Sequence, residues 1–334
     1  MSHIFNKVGI MAYTNNEILE IFETSLAQLR VPEEPELLYM PIIYSMSGGG
    51  KRLRPVLLLL TAEAFGGSVE EAMPAAMAVE IFHNFTLLHD DIMDNADVRR
   101  GKPSVYAKWG GNVALLSGDA MLITAYKHLA RISPVVLPKV MNIFTDMALE
   151  VCEGQQYDMD FENIVTVSVE EYMQMIERKT SALLSGSAMI GATLAGASDE
   201  DIKKIYRFAT ELGLAFQLQD DVLDSYGDTA LGKKIGGDIL EGKKTFLMVQ
   251  ALSRASEAER KVLCGTHLRK DISDIEKIST IKALYDKLDV RRIAEQQIEL
   301  RFERALAVLD TLSIAGQQTA TLVEFARNLM GRKK

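Results

Sequence analysis

The sequence predicts an all-α fold, and three observations predict it. Apolar residues recur three and four positions apart over long stretches, as on the buried face of a helix. All eight prolines fall within the first 138 residues, so the remaining 196 carry no helix breaker. No alternating strand and no Asn-Gly hairpin turn is evident.

The helices follow from local signals. Gly48-Gly49-Gly50 closes one helix and Pro55 opens the next. Gly66-Gly67-Ser68 followed by Glu70 and Glu71 makes a stop, a cap and an acidic first turn. From Ala72 the apolar positions Met73, Ala76, Met77 and Val79 run on one face towards Glu80 and Ile81. Ser168 with Glu171 fits a capping box. Ile202 to Tyr226 and Ile293 to Leu312 repeat the helical period. Asn95 to Pro103 and Asp228 to Lys244 read as loops. No linker divides the chain, so residues 1–334 are expected to form one domain of ten or more helices.

Composition excludes several classes of function. Lys and Arg total 37 against 46 Asp and Glu, a net charge of −9, which argues against nucleic acid and membrane surfaces as partners. The longest apolar runs, Val56–Leu60 and Ala75–Val79, are far below the ~20 residues of a membrane span. The N-terminus lacks an apolar signal core, and a soluble cytoplasmic protein is expected. Cys152 and Cys264 are too few for a disulfide framework and are expected to be buried, reduced thiols.

One internal echo carries chemistry. Asp90-Asp91-Ile92-Met93-Asp94 and Asp220-Asp221-Val222-Leu223-Asp224 share the pattern Asp-Asp-apolar-apolar-Asp, 130 residues apart. On a helix, Asp90 and Asp94 share a face, as do Asp220 and Asp224. A carboxylate pair among apolar neighbours repels itself unless a cation neutralises it. Oxygen-only ligands suit Mg²⁺, which takes one or two carboxylates and completes its shell with water and phosphate. A solvated acidic face would account for one cluster. Two matched clusters inside apolar stretches point to metal.

Cations accompany the acids. Lys51, Arg52 and Arg54 follow the triple glycine. Arg99, Arg100 and Lys102 follow the first acidic cluster; Lys233, Lys234, Lys243 and Lys244 follow the second; Arg332, Lys333 and Lys334 close the chain. Arg grips phosphate oxygens in a fork and Lys acts as a point charge. A ligand bearing several phosphates fits this alternation. Two other patterns fail. Glu80-Ile-Phe-His83 matches one di-iron element, but no second Glu-x-x-His exists. Gly237 to Lys243 mimics a nucleotide-phosphate loop, but Lys244 stands where Ser or Thr is needed.

These motifs, taken in order, resemble those of the trans-isoprenyl diphosphate synthases (polyprenyl synthetases) over almost the whole chain. Gly-Gly-Lys51-Arg52-Leu-Arg54-Pro55 comes first, then Asp90 to Asp94, then Arg99-Arg100-Gly101-x-Pro103. Gly118-Asp119, Gly154-Gln155, Lys179-Thr180 and Gln217-x-x-Asp220-Asp221-x-x-Asp224 follow. Each motif alone is modest; the ordered set is specific. The resemblance implies a helical bundle around a deep central cavity, usually a homodimer. It implies condensation of isopentenyl diphosphate with an allylic diphosphate, using several Mg²⁺ ions.

The resemblance also implies site roles. Asp90 and Asp94 would bind Mg²⁺ on the allylic diphosphate, with Asp91 supporting. Asp220 would bind a further ion, with Asp221 and Asp224 nearby. Arg99, Lys179, Lys243 and either Lys233 or Lys234 would contact the allylic diphosphate, with Lys234 the expected one. Lys51, Arg54, His83 and Arg100 would hold isopentenyl diphosphate. Thr180 and Gln217 would sit near the developing cation. Phe85 and Thr86, five and four positions before Asp90, would form the cavity floor that limits product length. A large residue at position 85 implies a short product. Thr86 is smaller than the aromatic of many animal farnesyl synthases, and the two-residue insertion of typical bacterial ones is absent. Twenty carbons are expected, with fifteen or a longer product as alternatives. A terpene cyclase or a non-catalytic subunit of a two-part synthase would share the fold. The basic set at Lys51, Arg54 and Arg100 argues against the first, and two intact aspartate motifs against the second.

Overall fold

The computed structural model describes residues 13–164, 166–227 and 235–331. Among them the chain is almost entirely helical, and no helix is long and apolar enough to cross a membrane. The chain gathers into two compact units. Unit 1 takes residues 1–145, 186–206 and 312–325, and unit 2 takes 146–185, 207–311 and 326–334.

Unit 1 is built on α1 (Asn15–Leu26), α2 (Glu36–Met46), α3 (Leu53–Ala64), α4 (Val69–Met93), α5 (Val105–Trp109) and α6 (Gly111–Leu129). Helix α4 packs against α3 and α6. The predicted signals form as caps: Ser68 accepts from the Glu71 N–H, and the α3 run Leu57 to Leu60 is fully buried. Helix α3 begins at Leu53, two residues before Pro55, because Arg52 takes the N-cap in a left-handed conformation (φ 48°). Phe82, Phe144 and Tyr126 stack edge to face at 5.3 and 5.5 Å. Burial of each of the two phenylalanine rings contributes roughly 1.5–3 kcal/mol.

The predicted loop at 95–103 differs. Val98–Arg99 and Lys102–Pro103 pair as a minimal antiparallel hairpin. Its two central residues, Arg100 and Gly101, both have positive φ (53° and 74°), as a type I′ turn requires. Arginine rarely occupies that region, so nothing in the local sequence announced the turn.

Helix α7 (Leu137–Asn163) leads into unit 2, which holds α8 (Val169–Ile176) with its Ser168–Glu171 capping box and a π-helical turn at Glu177–Ser181. Helix α9 spans Ala182–Leu194 and α10 Asp199–Tyr226. Then come α11 (Gly237–Glu241), α12 (Phe246–Arg254), α13 (Glu257–Gly265), α14 (Asp274–Lys287) and α15 (Val290–Leu309). Helix α11 lies where a continuous loop was expected, and α15 stops short of Leu312. Helix α16 (Gly316–Met330) follows. The unit 2 core gathers Phe161, Tyr172, Leu214, Leu218, Phe246, Leu247 and Tyr285.

Cys152 is exposed and Cys264 half-buried, against the expectation of two buried thiols. On α7 the buried stripe is Val140, Phe144, Met147 and Val151. Cys152 follows Val151, so it turns about 100° away from that stripe.

Candidate active site

Both aspartate motifs close a helix. Asp94 is the C-cap of α4, and Asp220 to Asp224 occupy the last turns of α10. A helix C-terminus carries partial negative charge, so acids there are locally unfavourable. Such a breach of local preference is expected where a cation binds.

The three aspartates of each motif are not equivalent. In unit 1, Asp91 is 3 % exposed, while Asp94 is exposed and Asp90 half-buried. Burial raises the Asp91 carboxyl above its usual range, and the Arg99 guanidinium opposes that rise. Arg99 bonds the Asp91 carboxylate at 2.5 and 2.8 Å and reaches Asp90 at 3.7 Å. Nearby, Arg54 donates to His83 Nε2 at 3.1 Å. An arginine cannot accept, so that ring nitrogen is the acceptor and the imidazole is neutral. Burial, then Arg54 and Arg100, hold His83 well below the usual histidine range. Arg100 donates to the Gly49 carbonyl, which ties the hairpin to the loop carrying Lys51. Arg52 departs from its neighbours. It is 4 % exposed and bonds Glu80 at 2.7 Å, Glu23 at 2.8 Å and the Met46 carbonyl at 2.9 Å. It faces inward, not towards a phosphate, and Glu80 is its counter-ion. Phe85 is buried, packed on Phe82 at 5.5 Å and His89 at 4.6 Å, with Thr86 half-buried beside it.

In unit 2, Asp221 is the buried member, and both of its oxygens are used. Oδ2 accepts from the Tyr172 hydroxyl (2.5 Å) and the Phe246 N–H (2.9 Å). Oδ1 accepts from the Gln217 amide at 3.1 Å. Burial pushes the Asp221 carboxyl up to about 6 against these donors. Thr180 donates to Gln217 Oε1 at 2.9 Å. Lys179 pairs with Asp158 at 2.5 Å and Lys243 with Glu241 at 3.0 Å. Asp221, Tyr172, Gln217, Thr180, Lys179 and Lys243 line a cavity of about 140 Å³ with Asp158, Asp238 and Lys244. Lys234, with Lys233, lies outside the described residues, as do Arg332, Lys333 and Lys334.

The π turn bearing Lys179 and Thr180 is seated on two glycines. A Cβ on Gly154 of α7 would lie 2.2 Å from the Lys179 nitrogen, and one on Gly213 of α10 would lie 2.7 Å from Ser181 Oγ. Only glycine permits that approach, which explains the Gly154-Gln155 motif by packing.

Asp158, Tyr172 and Asp238 escaped the sequence reading. Asp158 stands one helical turn after Gln155, and Asp238 lies in the stretch dismissed as a false nucleotide loop. The Asp238 N–H donates to Asp224 Oδ2 at 3.2 Å. Burial, then Asp224 and Asp221, push its carboxyl up to about 7. Such a group stabilises the fold while protonated, fully below about pH 4, and that stability is lost as pH rises through about 7. Asp238→Asn is therefore expected to raise the melting temperature of metal-free protein at about pH 8 and change it little at about pH 4. Thermal unfolding at the two pH values checks it; equal shifts at both would show that the charge carries no burial cost.

Among the described residues no group of three or more His, Cys, Asp or Glu forms a ready metal cage. The donors are carboxylates in pairs, which fits Mg²⁺ arriving with phosphate oxygens that complete its shell. A concavity of about 1070 Å³ in unit 1, along α1 and α2, carries none of the motif aspartates, so size alone does not mark the chemistry.

The polyprenyl synthetase family profile matches residues 35–288. The chain is 40% identical over 291 residues to the short chain isoprenyl diphosphate synthase of Methanocaldococcus jannaschii, across 86% of this chain and 88% of that one. It is 36% identical over 324 residues to the geranylgeranyl diphosphate synthase of Sulfolobus acidocaldarius, across 94% and 98%. A crystal structure of a geranylgeranyl pyrophosphate synthase superposes with a TM-score of 0.92 at 42% identity, covering 96% of this chain and all of that one.

Proposed function

This chain belongs to the polyprenyl synthetase family, and from that premise we propose that it is a prenyltransferase condensing isopentenyl diphosphate with an allylic diphosphate to geranylgeranyl diphosphate. The observation that carries this reading is the charge arrangement. The motif aspartates close two helices, and the cations expected to contact diphosphate, Arg99, Lys179 and Lys243, each sit against a carboxylate. Residues 1–334 act as one domain in this reading, since the family match draws on both compact units. The protein would work in the cytoplasm.

Mg²⁺, held by Asp90, Asp94, Asp220, Asp224 and Asp238 together with the substrate, would neutralise charge growing on the leaving diphosphate. Arg99, Lys179, Lys243 and Lys234 are the cations the resemblance assigns to the allylic diphosphate, and preorganised charges act without reorganisation. Asp91 Oδ1 is held by Arg99 and both Asp221 oxygens have protein donors, so these two would support neighbours more than they ligate. Lys51, Arg54, Arg100 and neutral His83 would anchor isopentenyl diphosphate, which makes the attack effectively intramolecular. The allylic carbon–oxygen bond breaks, and both electrons leave with diphosphate. The isopentenyl double bond then attacks the cation, and a proton passes to the released diphosphate. Thr180 and Gln217 would present oxygen dipoles to the cation.

A homodimer is supported by Leu115, Leu116 and Ile123, which α6 leaves 50, 60 and 62 % exposed. Leu116 and Ile123 stand seven residues apart on one face of the helix, and an exposed apolar face suits an interaction surface. Phe85→Ala is expected to lengthen the product, because truncating the ring opens room below the first motif. An unchanged chromatogram would remove Phe85 from that role. The reaction itself is tested by incubating the protein with Mg²⁺, labelled isopentenyl diphosphate and each allylic primer. Label in a twenty-carbon diphosphate is expected; product mass settles fifteen or longer chains. No label in any prenyl product overturns the reading in favour of a cyclase or a non-catalytic subunit.

A further inference from the structure

The hydrogen bonds behind Thr180 run in one direction. Gln217 lies between a carboxylate and a hydroxyl, so its amide has one satisfactory orientation: nitrogen towards Asp221, oxygen towards Thr180. The reverse would set the amide oxygen against a carboxylate. With its proton donated to Gln217, the Thr180 hydroxyl is left with lone pairs as its outward-facing group. Asp221 governs this arrangement, and Tyr172 in turn holds Asp221. Tyr172 is 3 % exposed on α8, and burial with the neighbouring Asp221 charge keeps its phenol protonated as a donor. All four side chains line the same cavity of unit 2.

We propose that Tyr172 is a positioning residue for prenyl transfer: by holding Asp221 it fixes the Gln217 amide, and so turns the Thr180 oxygen lone pairs towards the allylic cation. The inference rests on the prenyltransferase reading. It assigns Tyr172 no contact with substrate. The Phe246 N–H still holds one Asp221 oxygen when the phenol is lost, so the effect is a loosened orientation and not a collapsed site.

Tyr172→Phe keeps the ring and removes one donor. It is expected to lower kcat about tenfold, equivalent to about 1.4 kcal/mol of barrier. KM for both substrates and the Mg²⁺ concentration for half-activation should stay within about twofold, since binding groups are untouched. Thr180→Val is expected to slow the enzyme by itself, and Tyr172→Phe added to it should slow it little further. A crystal structure of Tyr172→Phe should show the Gln217 amide turned so that its hydrogen bond with Thr180 is broken. That measurement needs no turnover, so it separates failure of this inference from failure of the assigned reaction. An unmoved Gln217–Thr180 bond in the variant overturns the inference. So does a full multiplicative loss in the double variant, or a shifted Mg²⁺ requirement.

Discussion

Asp90→Asn lowers kcat/KM by at least about a thousandfold and leaves the melting temperature unchanged or slightly raised. Loss of one preorganised charge-stabilising group typically costs 10²–10³ in rate, and here the group would also hold the ion. The fold tolerates the change because the Asp90 side chain is 21 % exposed and Arg99 keeps its shorter bonds to Asp91. Removing a negative charge from the last turn of α4 relieves repulsion from the helix dipole, worth about 0.3–1 kcal/mol. Steady-state kinetics across a Mg²⁺ series, with calorimetry on the same preparation, checks both halves. Retained activity at saturating Mg²⁺ would remove Asp90 from the metal set.

Arg52→Met lowers stability by about 3–5 kcal/mol, because it leaves Glu80 charged and unpaired in the core. Both side chains of that pair are 2 % exposed at 2.7 Å, so solvent screens neither. Glu23 contributes less, being 44 % exposed. At about 2–4 °C per kcal/mol for a large domain, the melting temperature drops by roughly 6–20 °C. The double variant Arg52→Met with Glu80→Leu recovers most of the loss, since a buried ion pair exchanged for apolar groups is often neutral. KM for isopentenyl diphosphate rises in the single variant, because Arg52 sits at the N-cap of α3 between Lys51 and Arg54. A single variant within about 1 kcal/mol of the parent would show that water enters the site and screens Glu80.

Much of the helix framework was legible because its signals are local. The Ser68 cap, the Ser168–Glu171 box and the apolar faces of α4 and α10 act over three or four residues, and each forms as expected. The π turn at 177–181 and the hairpin at 98–103 were not legible. Each depends on groups far along the chain: glycines 154 and 213 for the turn, and the Gly49 carbonyl under Arg100 for the hairpin. Arg52 shows the same limit. It reads like Lys51 and Arg54 in sequence, yet its partner Glu80 stands 28 residues away and turns it inward. Glu80 in turn had matched half of a di-iron element, and its counter-ion explains it without a metal.

The sequence by itself determined the helical class, the family and the positions of the two carboxylate motifs, since residue order and short-range spacing suffice for these. Only the tertiary structure decided which aspartate of each motif is buried. Asp91 takes Arg99, eight residues on, and Asp221 takes Tyr172 and Phe246, 49 and 25 residues away. Helical period places three acids within one turn of each other but cannot rank them. Burial depends on what packs against that turn, and those partners come from distant parts of the chain.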